Sequence, residues 1–261
     1  MVKNLFKNIL ALALLATVFF VFRPQIENSF QQLKNKYLPC REPIAYSLAQ
    51  FDTEFGLSKE EFLKMVIEAE AIWETPTNKN LFEYREDGDL KINLVYDDRQ
   101  QVTIKLQKAD SIIDDSRSSY TELKAKYDIL QREYNQLKNN KAEVSELNHK
   151  AEEINALVVV LNKMVMTLNL NVQQFNKIGA DYTEEFEEGL YKSSIEGTSI
   201  DIYQYDSRTK LVRVLAHELG HALGLEHIED TQAIMYKLNN STSKKLTESD
   251  LIEVNKLCGD K

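Results

Sequence analysis

The stretch HELGHALGLEH, residues 217–227, contains three of the four histidines in the whole chain. Upstream and through its first half, Leu211, Val212, Leu215, Leu219, Ala222 and Leu223 recur on one broad face, so the spacing predicts a buried helix over Thr209 to Leu223. His217 and His221 are four residues apart. On a helix that places both imidazoles on one face, one turn apart, where two nitrogens can bind a zinc ion at about 2.0–2.1 Å. Glu218 projects beside them, within reach of a zinc-bound water without being a ligand. Gly224 can take the positive φ that ends a helix and turns the chain, and the turn lets His227 approach the same ion. Three protein ligands leave one tetrahedral position open, the mark of a catalytic zinc. The ion lowers the pKa of its water toward neutrality, and Glu218 takes the proton and passes it on as general base and acid. The fourth histidine, His149, has no ligand near it in sequence and reads as a solvated helix residue.

Outward from this stretch, Thr247 to Leu257 reads as a closing helix, with Thr247 as cap and Asp250 at the third helical position. Ser199 to Tyr205 alternates as a strand before the zinc helix. In the first half, Pro43 to Ala49 reads as a strand. Ser58 and Glu61 form a capping box for an amphipathic helix from Lys59 to Glu74, which Thr75-Pro76 stops. Leu81 to Arg85 and Leu90 to Tyr96 read as two further strands, joined as a hairpin by Asp87-Gly88.

Between these halves, from about Thr103 to Lys177, there is neither glycine nor proline, and apolar residues follow a heptad. Tyr120, Leu123, Tyr127, Leu130, Tyr134 and Leu137 step by three and four. A second run does the same from Val144, Leu147, Ala151, Ile154, Val158 and Leu161 on to Phe175. The runs are out of phase, with the break at Lys138 to Lys141, so two helices joined by a polar turn fit better than one continuous helix. The reading is an antiparallel coiled-coil hairpin with arms on the order of 50 Å long.

The chain opens with Lys3 and Lys7 ahead of an unbroken apolar run, Ile9 to Phe22, closed by Arg23 and Pro24. This reads as a membrane anchor or a cleaved secretory signal, with the positive flank inside and the body outside. Gln25 to Tyr37 follows as a polar stalk. The formal charge of −9 and the lack of a basic stripe argue against a nucleic-acid partner. Two cysteines, Cys40 and Cys258, flank the globular region of a chain routed to an oxidising compartment. A disulfide between them, an inhibitory Cys40 thiolate on the metal, and two unpaired buried thiols are the three readings.

His217-Glu218-x-x-His221-x-x-Gly224-x-x-His227, with Ala233-Ile234-Met235-Tyr236 downstream, resembles the metzincin zinc peptidases, and the wording is most similar to the matrixin branch. The resemblance implies an α+β fold: a twisted mixed sheet, a zinc-binding active-site helix, a turn whose Met235 lies beneath the ligands, and a closing helix. It further implies one catalytic zinc, a protein or peptide substrate, and a pocket beyond the scissile bond walled by the Tyr236 segment. Lys237 stands where matrixins usually carry proline, and Ile228 where a small polar residue is common. Four histidines cannot also assemble the second zinc site of animal matrixins, and calcium loops are not recognisable. Leu-Pro-Cys-Arg-Glu-Pro around Cys40 is not the propeptide cysteine-switch motif, which favours the disulfide.

The expected domains are an N-terminal segment over 1–23, a stalk over 24–38, a catalytic domain in two parts over 39–102 and 179–261, and the inserted hairpin over 103–178. The expected function is a zinc endopeptidase acting on extracytoplasmic proteins, membrane-anchored or secreted, with the hairpin as a gate or partner-docking arm. The alternative is a membrane-tethered coiled-coil binding protein whose zinc domain is catalytically silent. A zinc hydrolase acting on something other than peptide is a third reading.

Overall fold

A computed structural model describes Arg23 and residues 39–180, 187–194 and 196–259. The N-terminal apolar segment and the stalk lie outside the described residues. The chain falls into two compact units, one built from residues up to Gln100 and beyond Glu185, the other from Gln101–Glu185.

The first unit is a five-stranded mixed sheet with helices. Its strands are β1 (Ile44–Phe51), β2 (Phe82–Tyr84), β3 (Leu90–Leu94), β4 (Gly189–Ser194) and β5 (Gly197–Ile202), in the order β2-β1-β3-β5-β4. All neighbours are parallel except β4, which runs antiparallel to β5 at the edge. β4 was not expected from sequence, because Gly-Leu-Tyr-Lys-Ser-Ser is short and exposed along its second half. Register sets Leu48 beside Ile92 and Ile92 beside Ile200, and the latter two are fully buried.

The expected β2–β3 hairpin is not formed. Both strands pair parallel with β1, one on each side, so their link crosses β1 instead of reversing. At the crossing Arg85 N–H donates to the Tyr46 carbonyl at 2.8 Å, and Ser47 Oγ donates to the Gly88 carbonyl at 3.0 Å. A Cβ on Gly88 would lie 2.3 Å from the Tyr46 carbonyl carbon. The glycine is there for that close approach, not for a hairpin turn.

Helix α1 (Lys59–Thr77) starts on the Ser58/Glu61 capping box. It runs through Pro76, beyond the expected stop, and leaves through Asn78 at φ 51°. Pro76 costs the helix the hydrogen bond its N–H would have donated, and in that last turn Thr77 Oγ1 donates to the Trp73 carbonyl at 2.7 Å. Trp73, fully buried, donates from Nε1 to the Ala216 carbonyl at 2.8 Å and so ties α1 to the zinc-motif helix. The closing helix, Glu248–Cys258, begins on the Thr247/Asp250 capping box. Cys258 is bonded to Cys40, so neither an inhibitory Cys40 thiolate nor a pair of free thiols is present.

Glu70 of α1 is buried, and its Oε1 has no hydrogen-bond partner. Burial lifts its carboxyl from 4.5 to about 7. The folded state therefore holds this proton more tightly than the unfolded chain. The resulting stability is present below about pH 4.5 and is lost as pH rises toward 7, a cost of about 1–3 kcal/mol. Glu70→Gln should raise the melting temperature by roughly 2–4 °C per kcal/mol regained at pH 8 and leave it unchanged at pH 4.5. Equal shifts at both pH values would refute this assignment.

The second unit carries most of α2 (Asp98–Asn139) and all of α3 (Val144–Ala180). Between them Lys141 takes a left-handed conformation, φ 54°, and Ala142 N–H returns to the Leu137 carbonyl at 3.0 Å. Glu133 and Lys150, on either side of the turn, pair at 3.2 Å. Ser116 of α2 lines one groove with Val159, Val160 and Met164 of α3. The buried residues of α3 are Ile154, Leu157 and Leu161. Ile154 and Leu161 belong to the second heptad run; Leu157, outside it, is also buried, while Val158 of the run is half-buried. Leu161 has apolar neighbours on both sides, and the pattern alone does not say which side is covered. His149 is exposed and lies 3.5 Å from Glu153. Among the described residues, α3 is the one helix long and apolar enough to cross a membrane by length and composition.

Candidate metal centre

Helix α4 (Arg208–Leu223) is capped by Ser207, whose side chain accepts from Lys210 N–H. It is buried along nearly its whole length after Lys210. It ends at Gly224, φ 102°, with Gly224 N–H returning to the His221 carbonyl and Leu225 N–H to the Gly220 carbonyl. That turn brings His227 back over the helix. Beyond it, Ile228 N–H donates to the Met235 carbonyl at 3.0 Å, so the chain after His227 is held against the Met235 turn.

The three Nε2 atoms of His217, His221 and His227 lie 3.1–3.2 Å from one another. Two of the rings are oriented from behind. His217 Nδ1–H donates to the Ile234 carbonyl at 2.7 Å, and His221 Nδ1–H to the Leu225 carbonyl at 2.9 Å. A carbonyl can only accept, so each Nδ1 carries the proton and each Nε2 presents a lone pair. Burial keeps His217 neutral, pushing its pKa down to about 4, and burial also lowers that of His221. A tetrahedral zinc with nitrogens at about 2.0–2.1 Å needs donor–donor edges of roughly 3.3 Å. The triangle fits, and neutral lone pairs this close repel unless a cation lies among them. Among the described residues this is the one cluster of His, Cys, Asp and Glu donors that could hold a metal ion. His217 is buried, His221 half-buried and His227 exposed, so the cluster opens on the His227 side.

Glu218 is buried beside the triad, and its Oε2 accepts the Tyr191 N–H of edge strand β4 at 2.7 Å. Burial lifts its carboxyl to about 7 against that hydrogen bond. A Cβ on Gly189 would lie 2.9 Å from Glu218 Oε1 and 2.8 Å from Val214 Cγ1. The first residue of β4 can therefore only be glycine at this approach.

The floor is built by the Met235 turn. A Cβ on Gly220 would meet Met235 Sδ at 2.3 Å and Trp73 Cζ2 at 2.9 Å, so the glycine between the first two histidines seats the methionine. Two buried charges that the sequence reading did not assign to the site hold this turn. Asp250 accepts Ile234 N–H at 2.9 Å and Met235 N–H at 3.1 Å. Arg213, one helical turn before His217, donates to the carbonyls of Gln232, Ala233 and Ser243. The available signal for Arg213 was a lone charge inside the apolar run Leu-Val-Arg-Val-Leu-Ala. Tyr236 is half-buried next to Met235.

The fold and cluster together define an α+β protein with three metal-ready histidines on and after one buried helix. The matrixin family model (peptidase M10) matches residues 38–259, and the chain belongs to that family. Matrixins are zinc-dependent metallopeptidases, which accords with the donor set found here.

Proposed function

We propose that the chain is a zinc endopeptidase that hydrolyses peptide bonds of extracytoplasmic proteins. The observation that carries the reading is the triad of neutral imidazoles converging beside the buried carboxyl of Glu218. His217, His221 and His227 hold the ion. When bound, zinc supplies Lewis acidity and makes a water acidic enough to lose its proton near neutrality. Glu218 is the proton carrier: its buried carboxylate beside the triad takes a proton from the attacking water and gives it to the leaving amine. The Tyr191 N–H keeps Oε2 pointed and leaves Oε1 for the proton. Met235 shapes the floor through its seat on Gly220, and the Tyr236 segment walls the pocket beyond the scissile bond. The substrate lies along β4 as an added strand, since β4 is a sheet edge anchored on Glu218.

The N-terminal apolar run is read as an anchor or signal that exports the catalytic part. The segment over 103–178 is read as an inserted coiled-coil arm that docks partners or gates the cleft. A protein with a retired site would commonly lose its base, and this one keeps Glu218 with all three histidines. The test is cleavage of an unfolded, generic protein by the full chain. Cutting that a chelator stops and added zinc restores, together with loss of bound zinc in His217→Ala, is the expected result. Cutting that persists in the chelator, or zinc retained by His217→Ala, would overturn it.

A further inference from the structure

The residue just ahead of β4 makes contacts that the metal chemistry does not use. With its carboxylate, Glu188 reaches two other elements. Its Oε1 lies 3.2 Å from Lys210 Nζ, in the first turn of α4. Its Oε2 accepts Asn239 Nδ2–H at 2.9 Å, from the segment that follows the Met235 turn. Both side chains of the ion pair are mostly buried, Lys210 18% and Glu188 27% exposed, so water screens it less than a surface pair. The backbone of Glu188 is held as well: its carbonyl accepts Tyr203 N–H at 2.9 Å and Gln204 N–H at 3.3 Å, just past β5. The Asn239 end is equally set. Asn240 N–H returns to the Leu238 carbonyl at 2.8 Å in a tight turn around Asn239. A carboxylate only accepts, so the Asn239 amide is oriented with its nitrogen toward Glu188.

We infer that Glu188 is a positioning residue for the substrate strand, which rests on the endopeptidase reading: it holds β4 at a fixed distance from α4 and from the Asn239 segment. β4 is an edge strand with β5 on one side, and it starts on Gly189, which has no side chain to pack. Its tie to α4 within the strand is Tyr191 N–H on Glu218 Oε2 at 2.7 Å. That carboxyl also handles the proton. A hydrogen bond to a carboxylate weakens when the carboxylate is protonated, so this anchor varies through each turnover. Glu188 supplies an anchor that the chemistry does not touch. Its holds fall on the elements that bound the site: the strand to which a peptide adds, the helix bearing His217 and His221, and the segment after Tyr236. An added strand is seated by main-chain hydrogen bonds that weaken with distance, so a shift of β4 is felt as lost binding.

The test uses the zinc-loaded full chain in mild detergent, assayed well below the melting temperature of each variant. Glu188→Ala should raise KM about tenfold and leave kcat within about threefold, since uniform binding is lost and not a transition-state contact. Zinc content should not change. Glu188→Gln keeps the length and one acceptor oxygen, and should bring KM back to within about threefold of the wild type. A role in stability alone would lower the melting temperature and leave KM where it is. Hydrogen exchange over Gly189–Ser194, read by mass spectrometry, needs no turnover. It should quicken about tenfold in Glu188→Ala and stay near wild type in Glu188→Gln. If Glu188→Ala does not fold, Asn239→Ala removes one hold only and should move KM and exchange the same way by about threefold. Unchanged exchange overturns the inference whatever the activity. So does quickened exchange with KM unmoved, or a fall in kcat alone. A wild type that cuts no peptide while exchange still responds defeats the endopeptidase reading, and leaves Glu188 holding a strand that seats no substrate, which overturns its substrate role.

Discussion

Glu218→Gln should lose turnover by about 10²–10⁴-fold, the usual worth of a positioned general acid–base group, while zinc content and fold stay those of the wild type. The glutamine is the informative variant. Its amide oxygen can still accept the Tyr191 N–H that Glu218 Oε2 takes at 2.7 Å, so β4 keeps its anchor on α4. Only the capacity to take and return a proton is removed. Glu218→Ala removes both, and should add a rise in KM if substrate lies along β4. A Glu218→Gln protein that retains more than a tenth of the wild-type rate would mean that Glu218 positions the edge strand and does not move the proton. Zinc lost in parallel would mean that the residue belongs to the ligand set.

The second large effect is expected at Asp250, on a different helix from the histidines. Its carboxylate is fully buried and serves two tasks. It closes the capping box of the last helix through Thr247 N–H at 2.9 Å, and it accepts the amides of Ile234 and Met235. Ile234 is the residue whose carbonyl orients His217. Asp250→Ala leaves two amides of the Met235 turn buried without partners and removes the cap, a loss of about 3–5 kcal/mol of stability. The loosened turn no longer fixes the His217 ring, so zinc affinity should fall by about 10–100-fold, as for other partners that orient ligands from behind. Denaturant unfolding and competition with a chelator measure the two effects separately. A destabilised protein with undiminished zinc affinity would reduce Asp250 to a helix cap.

Asp250 also shows how far the sequence can be read. Its capping role was legible, because Thr247-x-x-Asp250 is a local pattern whose hydrogen bonds close within one turn. The same holds for Ser58 and Glu61, and for the zinc motif, where helical spacing and one glycine bring three histidines together. The second role of Asp250 was not legible, since its partners lie 15 and 16 residues upstream on another segment. Trp73 reaching the Ala216 carbonyl across 143 residues and Arg213 gripping the Met235 turn belong to the same class.

Strand order divides in the same way. Local pattern marked β1, β2, β3 and β5, but Asp87-Gly88 read locally as a hairpin, and only the crossing over Tyr46 shows why glycine is required there. Helix α3 is the converse case. Its heptads were plain in sequence, yet apolar residues flank Leu161 on both sides, and tertiary contacts alone decide that Leu157 is covered. By itself, then, the sequence determined the spacing that brings three histidines together, the capped starts of the first and last helices and the family resemblance, because each rests on spacing within a few turns of chain. Tertiary structure alone decided which strands neighbour one another, which buried charges hold the Met235 turn, and that β4 leans on Glu218. Those depend on contacts between distant segments, whose energy is not written in any one of them.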